Sequence, residues 1–252
     1  VTSIGDSAFY GCYALESVII PDGVTTIPAK TFYFCNSLAK ITIPGNVTEI
    51  ADNAFYSCSE LTDVYFDGTK SQWDAITVGS NNTPLTSATL HIMKASGTCD
   101  YNLTWNFDNG VLTISGTGQM TNFPTPQYSL PAPWSDYIAD IQTVIIEDGV
   151  TSIGKGAFSG CTAMTDISIP DSVRSIGVSA FYNCSALTEV DLADSLTYLR
   201  TNLVEKCSSL KSVNIPDGVT SLGSSTFKGC SSLESVSIPD GVTYIGYSGF
   251  QG

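Results

Sequence analysis

The feature that most constrains this chain is a unit of 23 residues that recurs along it. The unit reads V-T-x-I-G-x-x-A-F-x-x-C-x-x-L-x-x-V-x-I-P-D-G, and its copies begin at Val1, Val24, Val47, Val150, Val173, Leu196, Val219 and Val242. A fixed period of this length is the signature of a solenoid, because a single unit cannot bury its own apolar face and must stack on its neighbours.

The apolar positions of one unit predict how each coil is folded. Val18 and Ile20 share one face of a short strand by period-two alternation, and the Pro-Asp-Gly at 21–23 turns the chain. Val24 and Ile27 then supply inward side chains on a second side. Residues 8–12 have the spacing of a helical or 3-10 turn that leads to the next strand.

Stacking of like positions from successive coils predicts a continuous core. Its marker column, the valine of L-x-x-V-x-I, holds Val18, Ile41, Val64, Val144, Ile167, Val190, Val213 and Val236. A phenylalanine column runs beside it. Truncation of Phe9 or Phe158 to alanine should therefore cost about 3–5 kcal/mol of stability.

The repeat resembles the BspA-type leucine-rich repeat, on its A-F-x-x-C-x-x-L-x-x-V-x-I-P signature over residues 1–68 and 141–252. Two departures, Leu203-Val204 for Ala-Phe and Phe66-Asp67-Gly68 without proline, leave this prediction unchanged. The resemblance implies a leucine-rich-repeat solenoid that is mainly β, with short helical or 3-10 turns. It also implies a secreted bacterial protein that is exposed at the cell surface and adheres to host or microbial proteins.

The repeat register breaks between Gly68 and Ile141, which predicts three segments. Residues 1–92 form a first array with an atypical capping turn, 93–140 a β-hairpin spacer or cap, and 141–252 a second array. Because the chain begins and ends within a repeat, we expect it to be a fragment, with any secretion signal and anchor outside it.

Two details of the capping turn can be predicted from the sequence. The segment Leu85-x-x-Ala88-x-Leu90 fits the marker pattern, with Ala88 in the place of the marker valine, 24 residues after Val64. Ser71 and Asp74 have the spacing of a capping box and predict a short helix over the end of the first stack.

The inserted segment carries a strong hairpin signal at Asn109-Gly110. A two-residue turn there pairs Phe107 with Leu112 and Trp105 with Ile114, so that the large apolar side chains share one face. The stretch 123–134 holds four prolines and is predicted to be irregular.

Seven of the eight cysteines occupy one repeat position, and only Cys99 lies outside it. No C-x2-C pair with zinc-ligand spacing is present, so we expect no metal site. Neighbouring coils are close enough for disulfides, but such bonds would have to run along the stack. We favour a column of buried free thiols that act as small apolar side chains.

Composition and motifs argue against several classes of function. The net charge is −14, with only ten basic residues and no basic patch, so neither nucleic acid nor an anionic membrane surface is an expected partner. No apolar run approaches the ~18 residues of a membrane span. The single histidine, His91, lies beside no recognisable nucleophile, and no nucleotide-binding, metalloprotease or serine-hydrolase motif occurs. We expect neither enzymatic activity nor a cofactor.

The outward face of the main sheet is the predicted binding surface. Alternation sends the residues on either side of each marker to solvent, and those proposed to bind are Ile19, Lys40, Asp63, Tyr65, Asp166, Glu189, Asp191 and Asn214. Asp166, Glu189 and Asp191 should form a small acidic cluster, interpreted first as a solvated face and alternatively as a site for a cation or a basic partner.

Three hypotheses for function follow. The leading one is a scaffold that binds host matrix or microbial surface proteins. A carbohydrate-binding module is the first alternative, and it would require Trp73, Trp105 and Trp134 to be exposed; we favour core positions for these rings. The second alternative is a passive stalk within a larger surface protein.

Overall fold

A computed structural model describes residues 1–123 and 131–252 of the chain. These residues form two compact units, Val1–Ala95 and Ser96–Gly252. The predicted irregular stretch at 123–134 lies largely outside the described residues. The predicted division into three segments remains a prediction about which parts fold independently.

The first unit is a stack of coils with two parallel sheets on adjacent sides. One sheet has the order β1-β3-β5-β7 and the other the order β2-β4-β6. The elements are β1 Ser17–Ile19, β2 Thr26–Ile27, β3 Lys40–Pro44, β4 Glu49–Ile50, β5 Asp63–Asp67, α1 Lys70–Asp74, β6 Thr77–Val78, α2 Thr83–Ser87 and β7 Thr89–Ile92.

The strand register follows the repeat through three coils. Val18 lies opposite Ile41 and Ile41 opposite Val64, so the marker residues form one column in the sheet. The next partner is Leu90, so the prediction of Ala88 was wrong. Residues 83–87 form helix α2, and Ala88 is its C-cap, which moves the strand two positions along the chain.

The short helix predicted over this end of the stack is present as α1, but it begins earlier than predicted. Its N-cap is Thr69, which accepts a hydrogen bond from the backbone of Gln72, while the Gln72 side chain bonds back to the Thr69 backbone. This is a complete capping box. The box is therefore formed by Thr69 and Gln72, not by Ser71 and Asp74.

The second unit contains a β-hairpin and further coils of the same kind. Its sheets have the orders β14-β12-β10-β9-β8, β11-β13-β15, β16-β18-β20 and β17-β19-β21. The elements are β8 Lys94–Asp100, β9 Leu103–Asp108, β10 Val111–Gly116, β11 Gly118–Gln119, a 3-10 turn Ser135–Tyr137, β12 Thr143–Ile146, β13 Val150–Ile153, β14 Asp166–Ser168, β15 Ser175–Ile176, β16 Glu189–Asp191, β17 Tyr198–Leu199, β18 Ser212–Asn214, β19 Ser221–Leu222, β20 Ser235–Ser237 and β21 Tyr244–Ile245.

The hairpin of β9 and β10 has the predicted register. Phe107 pairs with Leu112 and Trp105 with Ile114, and all four side chains are buried. Strand β10 then pairs in parallel with β12, the first marker strand of the second array. The hairpin thus extends the sheet of the second array by antiparallel strands.

The third side of each coil is a run of tight turns. The backbone N–H groups of Ala8 and Cys12 bond to carbonyls three residues earlier, as a 3-10 turn would require. Residues with positive φ interrupt this pattern before it can become a helix: Ser7 at 59° and Gly11 at 68° in this coil, with equivalents in later coils. The alternate N–H groups are thereby directed to the next coil, and Phe9 N bonds to the carbonyl of Thr31 at 2.9 Å.

The phenylalanine column fills the space behind these turns. Phe32 and Phe55 stack at 5.2 Å between ring centroids, and Phe158 and Phe181 stack at 5.9 Å with the rings within 6° of parallel. These four side chains are fully buried. Phe32 also stacks on Phe9, and Phe158 also stacks on Trp134, so each of these two rings contacts an aromatic ring on either side within its own unit.

We predict that Phe158→Ala lowers the free energy of unfolding by about 3–5 kcal/mol, because it opens a cavity between stacked coils. Phe9→Ala should cost less, since Phe9 is only partly buried. Urea denaturation followed by circular dichroism measures both variants. Equal losses for the two would contradict a core that is closed around Phe158 and open around Phe9.

Candidate interaction surfaces

The outward face of the first unit is built from residues that alternate with the buried column. Lys40 of β3 lies opposite Asp63 of β5, and Tyr65 lies in the neighbouring row with Thr42. Ile19 of β1 lies opposite Thr42 and is 76% exposed. The structure therefore places the four predicted residues of this unit in two adjacent rows on one sheet face.

His91 joins this face, although the sequence offered no reason to choose it. The imidazole stacks on Tyr65 at 4.5 Å between ring centroids, and His91 Nε2 lies 2.9 Å from Asp63 Oδ1. The hydroxyl of Thr62 donates to the other carboxylate oxygen at 2.8 Å. The hydrogen bond from His91, followed by that from Thr62, lowers the pKa of the Asp63 carboxyl. Asp63, Tyr65 and His91 thus form one ordered polar and aromatic cluster.

The predicted residues of the second unit lie on three strands. Asp166 is on β14, Glu189 and Asp191 are on β16, and Asn214 on β18 lies opposite Asp191. All four are exposed. Across residues 1–123 and 131–252, no group of three or more His, Cys, Asp and Glu side chains is arranged to hold a metal ion.

Two of the three tryptophans, Trp105 and Trp134, occupy the core positions that the favoured interpretation predicts. Trp134 is fully buried and donates its indole N–H to the carbonyl of Ala157 at 2.8 Å. Trp105 is 6% exposed, and Trp73 packs edge-on against Phe66. Trp73 is only partly buried. Trp105 and Trp134 are buried and cannot stack on a sugar in solvent, so these two rings give no support to a carbohydrate site.

The third side of the first unit carries a ladder of tyrosines that the sequence analysis did not predict. Tyr10 and Tyr33 stack at 5.2 Å, Tyr33 and Tyr56 stack at 4.9 Å, and Phe34 packs edge-on against them. Tyr10 is 51% and Tyr56 is 41% exposed. The signal was available, because each tyrosine directly follows a core phenylalanine at intervals of 23 residues. Tyrosines held in this way offer rigid contact area with hydroxyl groups at low entropic cost.

The cysteine column is made of free thiols, and those of Cys35, Cys58, Cys161, Cys184, Cys207 and Cys230 are buried. Several donate a hydrogen bond to a core carbonyl of the preceding coil. Cys184 Sγ lies 3.2 Å from the carbonyl oxygen of Phe158, which also accepts the backbone N–H of Cys161. A carbonyl oxygen has two lone pairs, so each thiol satisfies the second one. This explains cysteine at a position where valine would fill similar space.

Burial also fixes the protonation of these thiols. Desolvation raises the pKa of Cys58, Cys161 and Cys230 to about 12, and the pKa of Cys184 is raised for the same reason. Outside the column, burial raises the pKa of Cys99 to about 11. The thiolate is the reactive form, so these sulfurs are poor nucleophiles and poor metal ligands.

The raised pKa values predict that the fold loses stability in alkaline solution. Between the unfolded thiol pKa and about 12, the folded state holds protons that the unfolded state releases. The contribution of Cys58, Cys161 and Cys230 to stability is therefore present in full below about pH 8.5, and above it each of these thiols lowers stability by about 1.4 kcal/mol per pH unit. Urea midpoints at about pH 8 and about pH 10 measure the fall.

Cys161→Ala should make this fall smaller than in the natural chain, whereas Cys12→Ala should leave it unchanged because Cys12 is exposed. Tyrosines and lysines also titrate in this range, but they are common to all three proteins. Identical pH dependence in the two variants would contradict a special contribution from the buried thiols.

The comparisons with known proteins agree with this architecture. The family description "BspA type Leucine rich repeat region" matches the chain in six copies, at residues 1–91 and 136–252. No match was found among proteins of curated function. Among the described residues, no helix combines the length and the apolar surface needed to cross a bilayer.

Similar solved structures are leucine-rich-repeat proteins from bacteria. A leucine-rich cell surface protein from Faecalibacterium prausnitzii is 26% identical, with 98% of this chain and 70% of that protein covered and a TM-score of 0.43. A leucine-rich-repeat protein from Bacteroides ovatus is 22% identical, with 98% and 63% covered and a TM-score of 0.41. The leucine-rich-repeat protein of T. pallidum is 23% identical, with 93% and 72% covered and a TM-score of 0.31.

Proposed function

The chain belongs to the BspA-type leucine-rich-repeat family, and we propose that it is a non-enzymatic scaffold that binds proteins at the bacterial cell surface. The observation that carries the proposal is the rigid display of aromatic and apolar side chains on the first unit. Ile19, Tyr65 and the tyrosine ladder of Tyr10, Tyr33 and Tyr56 contribute to no core, yet the coils hold them at fixed spacing.

Protein partners suit these surfaces because tyrosine is enriched in the residues that dominate binding energy at protein interfaces. The outward face adds a cation at Lys40 and the ordered pair of Asp63 and His91, which supply directional polar contacts. In the second unit the exposed residues Asp166, Glu189, Asp191 and Asn214 offer a more acidic face, which favours a partner with a basic surface.

The location at the cell surface is part of the same proposal. It is supported by the family, whose signature the repeat carries. A passive stalk remains the alternative, and it would leave the outward residues without effect on any binding.

The experiment is a binding measurement with the complete chain on immobilised matrix and serum proteins. Once a saturable interaction is found, the double variant Ile19→Ala, Tyr65→Ala should weaken it by about tenfold or more, because aromatic anchors carry most interface energy. The matched control is Ser212→Ala, Ser235→Ala, which alters exposed positions on the outward face of the second unit.

Thermal unfolding must be unchanged in both double variants for the comparison to count, and neither changes a buried residue. Unaltered binding by Ile19→Ala, Tyr65→Ala would show that the partner docks elsewhere. No saturable binding to any matrix or serum protein would favour the stalk.

A further inference from the structure

We propose that a groove in the second unit binds an acidic saccharide residue, a uronate or a sulfated sugar, with Lys155 and Arg200 as its anion-binding groups. The groove has a volume of about 380 Å³. Pockets for small ligands have volumes of roughly 300–1,000 Å³, so this one suits a single sugar residue and a part of the next.

The floor of the groove is the second sheet of the stack. Strand β13 pairs with β11 on one side and β15 on the other, and Ser152 lies opposite Ser175. Ile153 and Ile176 are buried beneath. The groove therefore rests on hydrogen-bonded strands, and its lining is held by the frame of the solenoid.

Two cations line this groove in a protein with a net charge of −14 and only ten basic residues. Within the part of the chain that the structure describes, neither Lys155 nor Arg200 forms an ion pair, whereas Lys70, Lys94 and Lys228 do. The Arg200 guanidinium lies 5.0 Å from the ring centroid of Tyr198, which restricts its orientation. Both cations are thus available to an anion from solution.

The repeat itself does not require these cations. Arg200 takes the place of Gly177 and Gly223 in the adjoining coils. A Cβ at Gly177 would lie 2.3 Å from Lys155 N, and one at Gly223 would lie 2.4 Å from Thr201 N, so close packing favours glycine in this column. Lys155 corresponds to Val178 and to Ser224. Two independent departures from the repeat therefore meet at one groove.

The other residues that line the groove favour an acidic sugar over other anions. Ser152 Oγ accepts the backbone N–H of Met120 at 3.2 Å, which leaves its hydroxyl proton to donate. Asn122 Oδ1 accepts the N–H of Lys155 at 2.8 Å, and Nδ2 has no partner among the described residues. Ser175 and Gln119 add further hydroxyl and amide groups. Such groups pair with sugar hydroxyls, while the two cations bind a carboxylate or sulfate.

The test is isothermal titration of the complete chain with digalacturonate and with a sulfated heparin disaccharide. The comparison ligands are lactose, tetraglutamate and inorganic sulfate. We expect at least one of the acidic saccharides to bind more tightly than all three comparison ligands. Its affinity should fall as the salt concentration rises, because the interaction is between charges near solvent.

Arg200→Gly and Lys155→Ser each install a residue that other coils carry at the same position, so both variants should fold. Each should weaken binding of the acidic saccharide by about tenfold or more, because a charge-assisted hydrogen bond is lost. Lys211→Ser removes an exposed cation outside the groove and should leave the affinity unchanged. If Arg200→Gly unfolds, Arg200→Gln replaces it.

Three results would overturn the proposal. The first is that neither acidic saccharide binds. The second is that Lys211→Ser weakens binding as much as the groove variants do, which would mean non-specific attraction. The third is that tetraglutamate or sulfate binds as tightly as the saccharides, which would assign the groove to an acidic peptide or to simple anions.

Discussion

The hydrogen bonds between successive coils are the constraint on which both units depend. In the sheets, the parallel register places each marker residue opposite its equivalent, as with Val190 and Val213. On the third side, alternate N–H groups reach the next coil, as when Phe158 N bonds to the carbonyl of Ala180. Because no coil can bury its own apolar face, the bonds between two neighbouring coils and the core that those coils enclose form together.

The cysteine column belongs to this same system. The carbonyl of Phe158 would be left with one unused lone pair inside the stack if Cys184 were an aliphatic residue. The thiol is small enough for the core, and it is also a weak donor. Its raised pKa is a consequence of that location, since the desolvation that makes the hydrogen bond useful also keeps the proton on sulfur.

Most of the fold can be predicted from the sequence, because each copy of the repeat has to bury the same apolar positions. The marker column, the inward second strand and the hairpin register all follow from apolar spacing, and the structure confirms the pairing of Phe107 with Leu112. The prediction failed at Ala88, because helix α2 adds residues to this coil and the 23-residue period no longer holds there. It also failed at Ser71, although Thr69 and Gln72 match the S/T-x-x-E/Q pattern of a capping box better than Ser71 and Asp74 do.

The candidate surfaces were less predictable, for a different reason. Alternation identifies outward residues such as Ile19 and Tyr65, but it cannot show that His91 stacks on Tyr65 from a coil of irregular length. The tyrosine ladder and the groove at Lys155 and Arg200 lie on sides of the coil other than the main sheet. The ladder and the groove can be identified only when the residues that depart from the repeat are placed at their positions in the coils.

The in-register parallel pairing of the coils has a mechanical consequence. A force applied along the stack acts across the strands, so it loads the hydrogen bonds of the terminal coil first and then those of the next. Each coil that detaches releases 23 residues, or up to about 80 Å of extended chain. A unit pulled between its two ends would therefore lengthen in steps of one coil. Mechanical work would be dissipated at each step, and the unit would not unfold in a single event.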